Sequence, residues 1–204
     1  MPGRAAVFCR LLAPVLVAAA MLAAPPSLAR ELPPALQGEL QRIGEGELQR
    51  IGEGELRWLG FKLYDAALWA RPEVVAVPPD NEAEAAQVLG AEHALSIRYA
   101  RAVSSDRLVE LSLGEMRRLG FDDEAQLARW GQALARALPS VEAGETLVGL
   151  HRPGEGAQFW HQGQPTAALD DAELAAAFFA IWLDPRTREP RLRAQLLGLA
   201  ERGR

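Results

Sequence analysis

Six aromatic side chains with a polar tip, Trp58, Tyr64, Trp69, Tyr99, Trp160 and Trp182, and two arginines on predicted strands, Arg57 and Arg98, are the residues best suited to hold a small molecule. Indole and phenol present a broad apolar face with a polar group at the edge, so several together can line an apolar cleft and still orient its occupant. A guanidinium nearby can meet a carboxylate or a ligand oxygen. The competing reading is structural: large aromatics also make ordinary cores, and strand arginines pair with glutamates on exposed faces. Arg186, Arg188, Arg191 and Arg193 crowd the start of the last helix. An anion fits there, but capping and surface charge account for the same pattern.

Other chemistries find little support. The histidines, His93, His151 and His161, stand in neither HxxH nor HExxH spacing, so a metal site is not expected. With "PGEG" as a hairpin loop, His151 faces Gln158 and His161 faces Val148, which sends the two rings to opposite sides of the sheet. Structural or surface roles suit them best. No serine sits in a GxSxG elbow and no GxGxxG opens a helix, so no catalytic residue and no cofactor is assigned.

The elements that must position the aromatics follow from periodicity and punctuation. "ELRWLGFKLYDAALWA", Glu55 to Ala70, reads as a buried strand pair or one long bent strand, ending at Arg71-Pro72. A short strand and a turn rich in proline, aspartate and asparagine come next. "ALSIRYAR" alternates, with Leu95, Ile97 and Tyr99 on one face and Ser96 and Arg98 on the other, as a half-buried strand does. Ser104 or Ser105 caps a helix that stops at Gly120. Asp122 or Asp123 caps a second, whose stripe is Leu127, Trp130, Leu134 and Leu138. "ETLVGLHR", "AQFWHQ" and the segment after Gly163-Gln164 return to sheet. Asp170 with Glu173 opens a further helix as a capping box, and Pro190 starts the last. Hairpins with separate helical blocks predict an α+β protein with an antiparallel sheet.

The chain has 204 residues, enough for one sizeable core. Residues 1–29 read as a signal peptide, with Arg4 and Arg10 ahead of the run "LLAPVLVAAAMLAA" and small residues placed for cleavage after Ala29. The run contains Pro14 and is shorter than the roughly 20 apolar residues a span requires. Export to the periplasm or beyond is therefore expected, and the only cysteine, Cys9, leaves with the signal. Removing Arg4 and Arg10 from 22 basic residues leaves 20 against 27 acidic. That balance argues against nucleic acid as a partner and disfavours an anionic membrane surface, and no membrane partner is expected once the signal is cleaved.

"ELQRIGEG" occurs twice, from Glu39 and from Glu47, and "ELRWLG" begins a third copy. Two copies cannot build a solenoid. An even unit inserted into a strand preserves its inward and outward positions, so a duplication ahead of the first strand is the economical reading. Glu45, Glu47, Glu53 and Glu55 are too sparse for a calcium loop. The domain is expected over residues 52–200, after an N-terminal segment at 30–51.

"LGFKLYDAALWA", "SSDRLVELSLGEMRR", the "FW" strand after a PGxG turn and "AFFAIWLDPRTREPRLRAQLLG" together resemble the exported bacterial branch of the chalcone isomerase-like proteins, from about Gly52 to Gly198. The resemblance implies an open-faced β-sandwich, a long antiparallel sheet with helices packed on one side, and a cleft that in relatives takes flavonoids or fatty acids. It does not bring the plant enzyme's active residues. Tyr64 stands at the position of its catalytic threonine, Gly54 near that of its arginine, Ser104 and Leu111 at those of its tyrosine and asparagine, and Leu192 near that of its late threonine. Leucine at two of these removes donors that a developing enolate requires.

The expected function is therefore non-catalytic binding of an apolar or amphipathic small molecule such as a fatty acid, between the aromatics and an arginine. Alternatives are an isomerase- or lyase-like enzyme with a rearranged site around Tyr64 and Arg57, and a structural partner protein.

Overall fold

A computed structural model describes residues 48–75 and 81–199. Residues 1–29, read from the sequence as a signal peptide, and the first copy of the octapeptide lie outside the described residues. Six strands, β1 (Gln49–Trp58), β2 (Phe61–Ala70), β3 (His93–Tyr99), β4 (Thr146–Arg152), β5 (Gly156–His161) and β6 (Gln164–Leu169), form one antiparallel sheet in chain order. The expected α+β class and the open sheet of the chalcone isomerase-like fold are both present.

Alternation along the strands sorts side chains onto two faces. Ala66, Leu68, Leu95, Ile97, Leu147 and Phe159 meet apolar residues of the helices in the main core. Ala67, Trp69, Ala94, Val148, Leu150 and Trp160 form a separate buried cluster with Leu48. Ser96 belongs to this second face, and it is buried, accepting a hydrogen bond from Trp69 Nε1 at 3.2 Å. β3 is thus covered on both faces rather than half-buried.

The segment after β2 differs from its expected strand. Pro72 starts a helical turn, α1 (Pro72–Val75), and a helix follows at α2 (Glu82–Gly90). Proline's fixed φ and missing N–H suit a first helical position. Asn81 caps α2 by accepting from Glu84 N at 3.0 Å while its amide donates to the Glu84 carboxylate, a capping box built on asparagine.

The two central helices form where their caps require. α3 (Ser105–Leu119) starts at Ser104, whose Oγ accepts from Arg107 N, and ends at Gly120 with φ 111°. α4 (Glu124–Ala137) starts at Asp123 and buries Leu127, Trp130 and Leu134 on one stripe. α5 (Ala172–Leu183) is capped by Asp171, not Asp170: its carboxylate accepts from Glu173 N and Leu174 N and also from Trp130 Nε1 at 3.0 Å. That tie joins α4 to α5 and fixes the frame one residue later. α6 (Pro190–Leu196) closes the chain against β1 and β2, with Arg193 pairing Glu82 of α2 at 2.6 Å.

β1 begins inside the second octapeptide copy, and the glycines of that copy carry the contact with α6. A Cβ at Gly52 would collide with the carbonyl oxygen of Gln195 and lie 2.6 Å from that of Leu196. At Gly54 it would lie 2.7 Å from Leu192 Cδ1. The "GEG" of the repeat is a landing site for a helix on a bare strand.

Candidate functional site

The helix-facing side of the sheet is not filled completely. A cavity of about 630 Å³ lies between β1–β5, α3 and α5, within the roughly 300–1,000 Å³ usual for small-molecule sites. Its inner wall is apolar: Ile97, Leu147, Gly149, Phe159, Phe178 and Phe179. Three of these rings pack edge-on or tilted, Phe159 with Phe178 at 5.2 Å and Phe178 with Phe179 at 5.6 Å between centroids. At the outer end the lining residues Trp58, Arg101, Arg107 and Leu111 are exposed and mark the opening.

Tyr64 and Tyr99 stand opposite each other on β2 and β3, their rings 6.1 Å apart, and both line the cavity. Trp182 of α5 donates its Nε1–H to Tyr64 Oη at 2.9 Å. The Tyr64 proton has no acceptor among the described residues, so the hydroxyl remains a donor for an occupant. Burial pushes Tyr64 up to about 12, with Glu189 and Glu115 adding to the rise. Tyr99 is raised by burial too, and then by Tyr64. Both phenols are neutral at physiological pH.

A register shift between Leu56 and Arg57 places them. Leu56 pairs Tyr64 and Arg57 pairs Lys62, leaving Leu63 as the extra residue. This bulge lets the consecutive residues Leu63 and Tyr64 both reach the cavity, which regular alternation forbids.

Four of the eight expected ligand-binding residues come together here: Trp58, Tyr64, Tyr99 and Trp182. The other four do not. Trp69 and Trp160 lie on the opposite face of the sheet, because each is one residue out of phase with a neighbour in the main core, Leu68 and Phe159. Arg57 turns outward onto Glu55 at 2.6 Å and the Gly60 carbonyl. Arg98 faces away with Ser96 and donates to the Gly144 carbonyl at 3.2 Å. The rearranged pair of Tyr64 with Arg57 is therefore not assembled.

Of the arginines that do stand at the opening, sequence reading missed Arg101 and Arg107 and named Arg188 only as one of a cluster before the last helix. Arg101 lies 4.8 Å over the Phe61 ring and has no carboxylate partner among the described residues. Arg107 pairs with Glu110 at 2.7 Å, and Arg188 with Glu115 at 3.0 Å. Arg101 follows β3 in a connection, where no periodicity assigns a face. The buried lining rings Phe159, Phe178 and Phe179 were hidden among ordinary core residues.

The histidines differ from expectation as well. The loop after β4 has three residues, with Arg152 pairing Gly156, so His151 faces Ala157 and His161 faces Leu147. Both histidines fall on the helix-facing side. His151 stacks on Phe179 at 4.8 Å, and its Nδ1 lies 3.4 Å from Nε2 of His93, whose own Nδ1 donates to the Ala91 carbonyl. Burial pushes both down to about 4, so this pair is a neutral support behind the cavity wall. His161 bonds Glu145 at 2.8 Å. No group of three or more metal-ligating side chains occurs among the described residues.

An antiparallel sheet with helices on one face, enclosing an aromatic-lined space of ligand size, defines an α+β fold with an apolar cavity. The chain belongs to the chalcone isomerase-like family, whose model matches residues 39–198. In fold it is similar to the crystal structure of a fatty-acid binding protein from Arabidopsis thaliana, with a TM-score of 0.56 over 74% of this chain and 86% of that one, at 12% identity. No curated protein sequence matches it. Of the positions aligned with the plant enzyme's active residues, Tyr64, Ser104 and Leu111 line the cavity. Gly54 and Leu192 instead meet each other where β1 packs on α6.

Proposed function

We propose that this is an exported binding protein that holds an apolar or amphipathic small molecule, such as a fatty acid, in the cavity beneath α3 and α5. The observation that carries the reading is the polarity gradient of the lining: aromatic and aliphatic within, charged at the outer end, where Arg101, Arg107 and Arg188 stand with Glu115 and Glu189 and Arg101 alone of the arginines lacks a carboxylate partner among the described residues. A carboxylate driven to the phenylalanine end would be desolvated without a partner, at a cost of several kcal/mol. Placed at the opening it meets Arg101 and keeps water, while its chain replaces nothing better than apolar surface. The fatty-acid binding activity named for the Arabidopsis structure is consistent with this occupant.

Ser112 tests the assignment. It is buried on α3, lines the cavity and spends its hydroxyl on the Leu108 carbonyl at 2.8 Å. Ser112→Phe sends a ring into the open space and is expected to weaken binding of a fluorescent fatty acid at least about tenfold, by loss of apolar contact area. Unchanged affinity in a variant with a native melting transition would refute the site.

A further inference from the structure

The tip of the β1–β2 hairpin is the most exposed apolar part of the described chain. Trp58 is 65% exposed, Leu59 82% and Phe61 60%, and Leu111 of α3 adds a fourth apolar side chain beside the same opening. Nothing in folding asks for this composition. The turn has two central residues, Leu59 at φ 48° and Gly60 at φ 82°, both in the region a type I′ turn requires. Asparagine or aspartate at the first position would suit that backbone and water alike, whereas leucine is disfavoured by both. A bulky side chain kept where backbone and solvent oppose it points to something it touches.

We propose that this tip docks on a lipid bilayer and that the cavity exchanges its ligand with the membrane there. The inference rests on the apolar-ligand reading for what is exchanged, and on the tip alone for the docking. Trp58 belongs both to the exposed tip and to the cavity lining, so a molecule leaving the opening passes directly along it. A tryptophan flanked by leucine and phenylalanine, with Arg101 packed over the Phe61 ring, is the side-chain set that settles at the boundary between headgroups and acyl chains.

Area argues against a second copy of the chain as the occupant. Four side chains exposed to this degree present roughly 500 Å², short of the roughly 800 Å² per partner of a stable interface. A bilayer asks for only a few inserted apolar groups. Charge fixes the kind of bilayer. Arg57 and Lys62 are tied to Glu55, and Lys62 also to Asp65, so the hairpin's own charges cancel and Arg101 over the Phe61 ring is the single cation beside it without a carboxylate partner among the described residues, in a chain of net charge −5. Docking is apolar, proceeds on a zwitterionic surface and resists added salt.

The test uses the full chain with phosphatidylcholine vesicles brominated along the acyl chains, which quench only a tryptophan inserted among them. The wild type is expected to lose emission on vesicles at both low and high salt, and Trp58→Phe to remove the quenched component whatever else tethers the chain. Leu59→Asn supplies the turn's preferred Asn-Gly pair, so it keeps the fold. It should lower the Trp58 insertion signal about tenfold, the worth of one buried leucine side chain, and leave binding of a soluble fluorescent fatty acid unchanged. Quenching that persists in Trp58→Phe, or is indifferent to Leu59→Asn, overturns the proposal. So does a dimer dissolved by Leu59→Asn in a protein whose Trp58 is not quenched, which would make the tip a self-interface. Failure to bind the soluble probe while Trp58 inserts would sink the cavity reading and leave docking in place; the converse would sink docking alone.

Discussion

Trp69 and Trp160 on one face of the sheet, and Tyr64 and Tyr99 on the other, come from the same six strands, Trp69 and Tyr64 from β2 itself, and do opposite work. The tryptophans close a small cluster in which every member is buried. The tyrosines border open space, one of them with a hydroxyl proton left over for an occupant. Residue type does not separate the two pairs. What separates them is strand phase relative to the helices, together with one bulge that turns Leu63 and Tyr64 toward the same cavity. One face of the sheet is spent on stability; the other gives up some packing to keep a space.

The largest effect that sharpens this contrast is expected from Trp160→Ala. Truncation on the closed face should cost about 3–5 kcal/mol of unfolding free energy, read by chemical denaturation, with ligand retention unchanged in the fraction that remains folded. If retention fell while stability held, the division of labour between the faces would be wrong.

A smaller effect tests the wall behind the cavity. His93 and His151 are pushed from 6.5 down to about 4 by burial, so between those values the unfolded chain binds protons that the folded chain refuses. Stability is fully present above about pH 6.5 and lost as pH falls toward about 4, by an expected 2 kcal/mol or so for each histidine at pH 5. Denaturation midpoints at pH 7 and pH 5 decide it. Equal midpoints would mean that the pair is not held neutral.

The smallest effects belong to Arg57→Ala and Arg98→Ala. Both guanidiniums point away from the cavity, so fatty-acid affinity should not change and stability should move by less than about 0.5 kcal/mol. A large loss of affinity in either variant would return these arginines to the site.

Much of the fold was legible because its signals are local. Ser104, Asp123 and Gly120 announce helix ends by hydrogen bonds within three residues of themselves, and the Leu127–Trp130–Leu134 stripe announces a face. The cap of α2 was equally local, Asn81 with Glu84, but it lay behind a proline-rich stretch that read as turn. The site was half legible for a different reason. A one-residue difference in the loop after β4 moved the partner of His151 from Gln158 to Ala157 and put His161 on the same side of the sheet as His151. The bulge at Leu63 is likewise invisible without the partner strand. Arg101, in a connection, carries no period at all. Glycine in the repeat looked like an accident of duplication; its meaning depends on α6, more than 130 residues further on.

The account rests most heavily on the cavity having an occupant of the proposed kind. The decisive measurement is native mass spectrometry of the full chain, purified gently, followed by organic extraction of the denatured protein. A single apolar or amphipathic acid bound one to one and released only on unfolding is the predicted result. A mass equal to the bare chain, with no extractable molecule and no uptake of added fatty acid, would contradict it.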